Sequence, residues 1–349
     1  MPEHLSHRAV APINNRQRLS SRANHAVCAP VGFAEREICF LVKAITFLVV
    51  LVVLQCSAAR AQNLPSRPHI LGIAQVKVSA TNLPASLAFY SKTLNLAHDL
   101  HRTVPSETFF LDSFQDLWLE AVPAPNPTNL IAEITFSTDD VPAIRRYLVF
   151  HKIAVSTPIN STIGDYYLTV ADPEGHRIGF VRPTKGTAGT LSSDPAAATG
   201  STNSTYRLIH AGFVVHDRAA MDRFYKDILG FRPYWHGGMK DDETSWVAMQ
   251  VPDGTDWVEY MLNISPTADK HTLGVMNHIA LGVPDIQAAK AQLLKNGWKP
   301  GEQPKLGRDG KWQLNLYDPD DTRVEFMEFT PKEKPCCSEF TGPHPGPHQ

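Results

Sequence analysis

The chain has 349 residues, 43% of them hydrophobic and 19% charged, which is the composition of a globular protein too long for one ordinary core and suited to about two domains. A formal charge of -2 leaves no basic excess for phosphate backbones, so nucleic acid is excluded as an expected partner.

Basic residues are scattered up to Lys43, the apolar run AITFLVVLVVL follows from Ala44 to Leu54, and SAARA then places small residues at Ala59 and Ala61. That is the order of a secretory signal with an A-x-A cleavage site. Residues 1–61 are therefore expected to be a leader cut after Ala61, and the protein to be exported, periplasmic or secreted. The run has eleven residues, fewer than the roughly twenty a spanning helix needs, so no stable membrane insertion is expected. Cys28, Cys39 and Cys56 fall in the leader, and the adjacent Cys336 and Cys337 cannot build a disulfide framework. Adjacent cysteines bridge each other only with backbone strain, so residues 331–349 are expected to be a flexible tail with two thiols. An intermolecular bridge, or a metal site with His344 and His348, is the alternative.

From Ile70 onward one unit recurs four times. IAQVKVSATNLPASLAFYSKTLNL from Ile73, IAEITFSTDDVPAIRRYLVFHKI from Ile131, IHAGFVVHDRAAMDRFYKDILGF from Ile209 and NHIALGVPDIQAAKAQLLKNGW from Asn277 each read strand, turn, helix. Each then runs through shorter strands to a last one, in DLWLEAV, YLTVADPEGHRIGFV, GTDWVEYML and LNLYDPDDTRVEFMEF. The second and fourth share an Asp-Pro turn, Asp172-Pro173 and Asp318-Pro319, which marks them as second halves. The expected fold is α+β, two tandem domains of two βαβββ modules each, over 70–183 and 206–330. The polar, aperiodic stretch 184–205 joins them.

Successive strand residues point to opposite faces. Simple alternation puts Leu208, His210, Gly212 and Val214 on one face of the third module's first strand, and His278, Ala280 and Gly282 on one face of the fourth's. The opposite, bulkier faces must pack on helices, so both histidines are left on a concave side beside small residues. The closing strands offer Trp257, Glu259 and Met261, and Arg323, Glu325 and Met327. Two imidazoles and two carboxylates, His210, Glu259, His278 and Glu325, make an N2O2 set suited to one divalent transition ion: Ni, Zn, Fe, Mn or Co.

On these residues the chain resembles the vicinal oxygen chelate superfamily of glyoxalase I, extradiol dioxygenases and bleomycin-resistance proteins, over about Ile70 to Thr330. RLIH at Arg207 to His210, FYKDILGF at Phe224 to Phe231 and NHIALGVPD from Asn277 are most similar to bacterial-type glyoxalase I. The resemblance implies metal ligands at His210, Glu259, His278 and Glu325. It implies a substrate role for Asn263, in a pocket to which Trp257, Met261, Trp312 and Arg323 contribute. An arginine expected on the first strand, for a glutathione carboxylate, is replaced by Val214, and Asp321 stands where glycine is usual. In the first domain the equivalent positions are taken as Gln75, Glu120, Glu133 and Gly179, a broken set without an expected metal.

The expected activity is that of a metal-dependent, glyoxalase-like lyase or isomerase on a small α-hydroxycarbonyl compound, through a metal-bound enediolate, with Glu325 as base and Glu259 its counterpart. Two alternatives stay open. One is a non-haem Fe(II) extradiol dioxygenase using His210, His278 and Glu325, although Asn315 replaces that signature's tyrosine and Lys311, Trp312 and Gln313 supply no histidine. The other is a non-catalytic periplasmic binding module lined by Trp235, Trp246, Trp257 and Trp312. Members of the family close their site within one chain or across a homodimer, and both remain open.

Overall fold

The computed structural model describes residue 47 and residues 65–99, 106–111, 114–123, 129–157, 159–160, 166–182, 198–199 and 206–347. The leader's cleavage site, nearly all of the 184–205 linker, and His348 lie outside these described residues. No helix among the described residues is long and apolar enough to cross a membrane.

The four repeats are four βαβββ modules. The first holds β1 (Gly72–Ala80), α1 (Leu83–Ala88), β2 (Ala97–Asp99), β3 (Ser106–Phe110) and β4 (Asp116–Ala121). The second holds β5 (Ile131–Ser137), α2 (Val141–Phe150), β6 (Ile159–Asn160), β7 (Tyr166–Ala171) and β8 (Arg177–Val181). A short β9 (Ala198–Thr199), within the stretch expected as linker, pairs with β2. The third module holds β10 (Arg207–Val214), α3 (Arg218–Asp222), β11 (Arg232–Gly237), β12 (Trp246–Gln250) and β13 (Trp257–Met261). After α4 (Lys270–Met276) the fourth holds β14 (His278–Val283), α5 (Ile286–Lys295), β15 (Lys305–Leu306), β16 (Trp312–Tyr317) and β17 (Arg323–Glu328). This is the α+β tandem arrangement expected. Within each domain the first strands of the two modules lie side by side and antiparallel, and each also pairs in parallel with its own module's last strand.

The turn after each first strand starts its helix in the same way. Asn82, Asp140, Asp217 and Asp285 each accept a hydrogen bond from the backbone N–H three residues on, satisfying a donor the helix leaves free. In the first and third modules the helix widens into a π turn, Phe89–Thr93 and Arg223–Ile228, which carries a fully buried tyrosine, Tyr90 or Tyr225. The Asp-Pro turns close in matched conformations, with Gly175 at φ 87° and Asp321 at φ 64° in the left-handed region. Aspartate tolerates that region better than most residues, so Asp321 stands in for the glycine.

The two domains interlock about these repeated features. Tyr90 donates to Asp318, in the other domain's Asp-Pro turn, and Tyr225 donates to Asp172, both at 3.2 Å. Gln115 reaches across to the backbone of Leu208, at 2.8 and 2.9 Å, while Asp256, in the corresponding place, accepts from the Ile73 N–H at 2.9 Å and pairs with the buried Arg207. One apolar core runs through both domains, with Phe136 edge-on to Phe231 at 5.3 Å.

Two expectations are corrected. β10 carries a bulge between Leu208 and His210, so Leu208 joins the helix-side core and Ile209 the concave cluster, opposite to simple alternation; from His210 onward the alternation holds. The described part of the 331–349 tail is packed rather than flexible. Lys332 and Cys336 donate backbone bonds to Gly310 and Arg308, Thr341 donates to Tyr234, and Phe340 lies 4.9 Å from the Tyr234 ring. The two cysteines are bonded to each other, and Trp235 Nε1 donates to the Cys336 carbonyl at 3.2 Å. Apolar surface on β11 that a mobile tail would leave wet is what holds this segment down.

Candidate metal centre

His210, Glu259, His278 and Glu325 stand on β10, β13, β14 and β17, four adjacent strands whose register aligns Gly212 with both Glu259 and His278, and Ala280 with both His210 and Glu325. Their side chains converge within one chain. His210 Nε2 lies 3.0 Å from His278 Nε2, 3.9 Å from Glu259 Oε2 and 3.6 Å from Glu325 Oε2. His278 Nε2 is 3.2 Å from Glu259 and 3.8 Å from Glu325. Small residues make the convergence physical, because a Cβ on Gly212 would sit 2.0 Å from the His278 ring.

The donor set fits a cation. Atoms held about 2.0–2.2 Å from a shared ion lie roughly 3–4 Å from one another; His210, Glu259 and His278 meet as one mutually close set, and Glu325 lies at such distances from both imidazoles. His278 Nδ1–H donates to the Met276 carbonyl at 2.9 Å, which leaves Nε2 with its lone pair aimed at the cluster. Burial, helped by the Arg323 charge, lowers the His278 pKa and keeps the ring neutral. His210 is fully buried and stacked on Trp257 at 4.6 Å, and its Nδ1 has no partner among the described residues. Burial pushes the Glu325 carboxyl up, but His210, 3.6 Å away, and the Arg323 charge outweigh it and hold the group at about 2. Two ionised carboxylates and bare imidazole nitrogens turned on one point are satisfied by a positive ion there.

Glu259 and Glu325 stand in the wall of a cavity of about 320 Å³, with the two histidines buried behind them. Trp257, Met261 and Arg323 line it as the sequence reading placed them, and so do Trp235 and Trp246. Two expected residues do not. Trp312 lies one position out of phase on β16, packs against the helix-side core, and leaves the lining to Gln313 and Asn315. Asn263, at φ 63° just past β13, turns its amide to the Thr244 carbonyl at 3.1 Å and to Ser245, so it clamps a hairpin and does not face the cavity. The structure adds Tyr234, Arg308, Asp309 and, from the tail, Phe340. Only the aromatic residue in a tail otherwise rich in Pro, Gly and charge gave a hint of the last.

Behind this lining Lys311 is fully buried, with Nζ 4.7 Å from the Trp257 ring centre and 5.4 Å from that of Phe340. Burial, partly offset by Asp309, lowers Lys311 to about 8, and burial raises Asp309 to about 6.

In the first domain strand register gives the corresponding positions. Gln75 and Glu133 match His210 and His278, and Gly179 matches Glu325, as expected. The counterpart of Glu259 is Trp118 rather than Glu120, since Trp118 faces Lys77 as Glu259 faces Gly212. Lys77 Nζ lies 5.3 Å from the Trp118 ring centre, and Gln75 donates to Asp116 at 2.9 Å. Glu133 accepts from Thr135 and Tyr167 and pairs with Arg177 at 2.7 Å. A Cβ on Gly179 would meet Thr135 Oγ1 at 2.4 Å, so no side chain fits where the other domain has Glu325.

Residues 72–180 and 207–326 each match the family model of the Glyoxalase/Bleomycin resistance protein/Dioxygenase superfamily. No curated protein sequence matches the chain significantly. Among solved structures it is similar to a mutant of homoprotocatechuate 2,3-dioxygenase from Brevibacterium fuscum, at 21% identity and TM-score 0.55 over 76% of this chain and 73% of that one. It is similar also to homoprotocatechuate 2,3-dioxygenase from Arthrobacter globiformis, at 20% identity and TM-score 0.55, covering 76% of this chain and 81% of that one. The 2,3-dioxygenase LapB from Pseudomonas sp. KL28 aligns at 14% identity and TM-score 0.58, over 81% of this chain and 96% of that one. At these identities the likeness is one of fold.

Proposed function

The chain belongs to the Glyoxalase/Bleomycin resistance protein/Dioxygenase superfamily, and on that premise we propose that its second domain is a metal-dependent lyase or isomerase acting on a small compound with two vicinal oxygens. The observation that supports this reading over its alternatives is the position of Glu259. His210, His278 and Glu325 alone would make the two-histidine, one-carboxylate face used in non-haem iron oxygen chemistry. Glu259 Oε2, 3.2 Å from His278 Nε2, adds a fourth protein donor and a second carboxylate, which suits proton transfer better than dioxygen binding.

When bound, a divalent cation supplies Lewis-acid stabilisation of negative charge growing on the substrate oxygens. His210 and His278 hold fixed orientations against Trp257 and the Met276 carbonyl. Glu325 is ionised throughout the neutral range and is the base that takes the proton next to a carbonyl. The proton now held by Glu325 is then delivered to the neighbouring carbon, while Glu259, ionised on the more exposed side of the cluster, stays as the counterpart carboxylate. The Trp235, Trp246 and Met261 side chains keep water from the rest of the cavity.

The test is to load the purified protein with Ni, Zn, Fe, Mn or Co, measure the ion by elemental analysis, and follow hydrogen exchange at α-hydroxycarbonyl compounds in heavy water by NMR. Exchange that requires the ion and Glu325 is the expected result. Oxygen uptake with catechols on the iron form, without exchange, would replace this reading with the extradiol one. A bound ion with neither activity would leave a binding module. The leader reading adds export, tested by the N-terminus of the protein recovered from the periplasm or medium.

A further inference from the structure

Arg323 carries a charge with no bonded partner among the described residues. Its Nε is buried without a partner, and no hydrogen bond or ion pair joins its guanidinium to any described residue. It nonetheless lines the cavity and acts by charge on Glu325 and His278. The other cations there are matched. Lys305 pairs with Glu302 at 3.4 Å, Arg308 pairs with Asp241, and the buried Lys311 lies in the field of Asp309. Glu259 and Glu325 together neutralise a divalent ion. One positive charge is then left over at the partly buried Arg323, whose Nε is shut off from water without a partner.

The first domain shows what that position does when it has a partner. Arg177 occupies the place of Arg323 on the last strand, and its Nε pairs with Glu133 at 2.7 Å. In the second domain the position of Glu133 is taken by His278, and the arginine keeps its charge while losing its carboxylate. We propose that the substrate brings that carboxylate: Arg323 is an anion anchor, and the second domain takes a small molecule bearing one carboxylate in addition to its two vicinal oxygens. The planar guanidinium fork matches a carboxylate with two parallel hydrogen bonds. A single unmatched cation calls for a single negative charge. Arg323 and Glu325 face the cavity two positions apart on β17, roughly 6.5 Å along the strand, so one small molecule reaches both the anchor and the ion. Trp246, Met261 and Met276 give that molecule an apolar body.

This inference rests on the metal-centre reading, and its test separates the two. Two non-reacting probes, 3,4-dihydroxybenzoate and the neutral 3,4-dihydroxybenzamide, offer the same vicinal oxygens and differ only in the anion. Titration into the zinc-loaded full chain, read by quenching of the cavity tryptophans, is expected to show the carboxylate binding about ten- to hundredfold more tightly. Arg323→Gln is expected to abolish that ratio by weakening the carboxylate alone, and Arg323→Lys to keep part of it. Equal affinities in the wild type, or a ratio unchanged in Arg323→Gln with zinc still bound, would overturn the anchor. Zinc content is measured on every sample. If no ion binds, benzoate against benzamide on the same protein still reads Arg323: a preference lost in Arg323→Gln sustains the anchor while the metal reading falls, and no preference ends both.

Discussion

The same strand position holds His278 in one domain and Glu133 in the other, and each neighbourhood has been built around that difference. Beside His278 stand Gly212, which gives the ring room, and Glu259 and Glu325, which face it. Beside Glu133 stand Lys77, Trp118 and Gly179, with Thr135 and Tyr167 donating to one carboxylate oxygen and Arg177 paired with the other. In the first domain the corresponding space is taken by an ion pair and hydrogen bonds within the chain, where the second domain has converging donors. An arginine Nε without a partner, as at Arg323, is thus a property of the second domain and not of the fold.

The largest effect that would break this comparison is on metal content. His278→Ala or Glu325→Ala is expected to lower divalent-ion affinity at least about a hundredfold, in line with removing a ligand, whereas Glu120→Ala and Glu133→Gln leave the ion content of the chain unchanged by elemental analysis. An ion lost on changing the first domain's residues would show that both domains hold metal. Next is Asp256→Ala, which strands the fully buried Arg207; chemical denaturation is expected to show a loss of about 3–5 kcal/mol. Gln115→Ala, at the corresponding seam position but uncharged, is expected to cost about 1–3 kcal/mol.

The third effect is on pH dependence. Burial raises Asp318 to about 6, above the range of an exposed aspartate. The folded chain then holds this proton after the unfolded chain has released it, so the group's contribution is intact below about pH 4, falls as pH rises to 6, and is flat above. The loss amounts to about 3 kcal/mol, and Asp318→Asn is expected to remove that slope from a stability profile measured between pH 4 and 7. The smallest effect is Glu133→Gln, expected to cost about 1–2 kcal/mol, because its partner Arg177 is half exposed and the amide still accepts from Tyr167.

Most of the second domain's centre was legible because strand residues alternate with period two, which holds along β13, β14 and β17 and, on β10, from His210 onward. Legibility failed where the period breaks. The bulge after Leu208 reverses two residues that strict alternation cannot see. Counting along the sequence points to Glu120 because the first module's loops differ in length from those of the third, and only strand pairing identifies Trp118. Asn263 carries the expected residue type on a backbone that turns it away, since side-chain direction depends on φ as well as on position. The docking of the tail rests on long-range contacts to β11 that have no local signature.

The paired tyrosines, Tyr90 on Asp318 and Tyr225 on Asp172, have a consequence for how such a chain can change. Each half closes the other's turn, so neither can be cut away without leaving a buried carboxylate and phenol unmatched in the survivor. The first half is therefore not surplus cargo: a substitution along the seam, where Gln115, Asp256 and the two tyrosines cross, is felt by both halves at once.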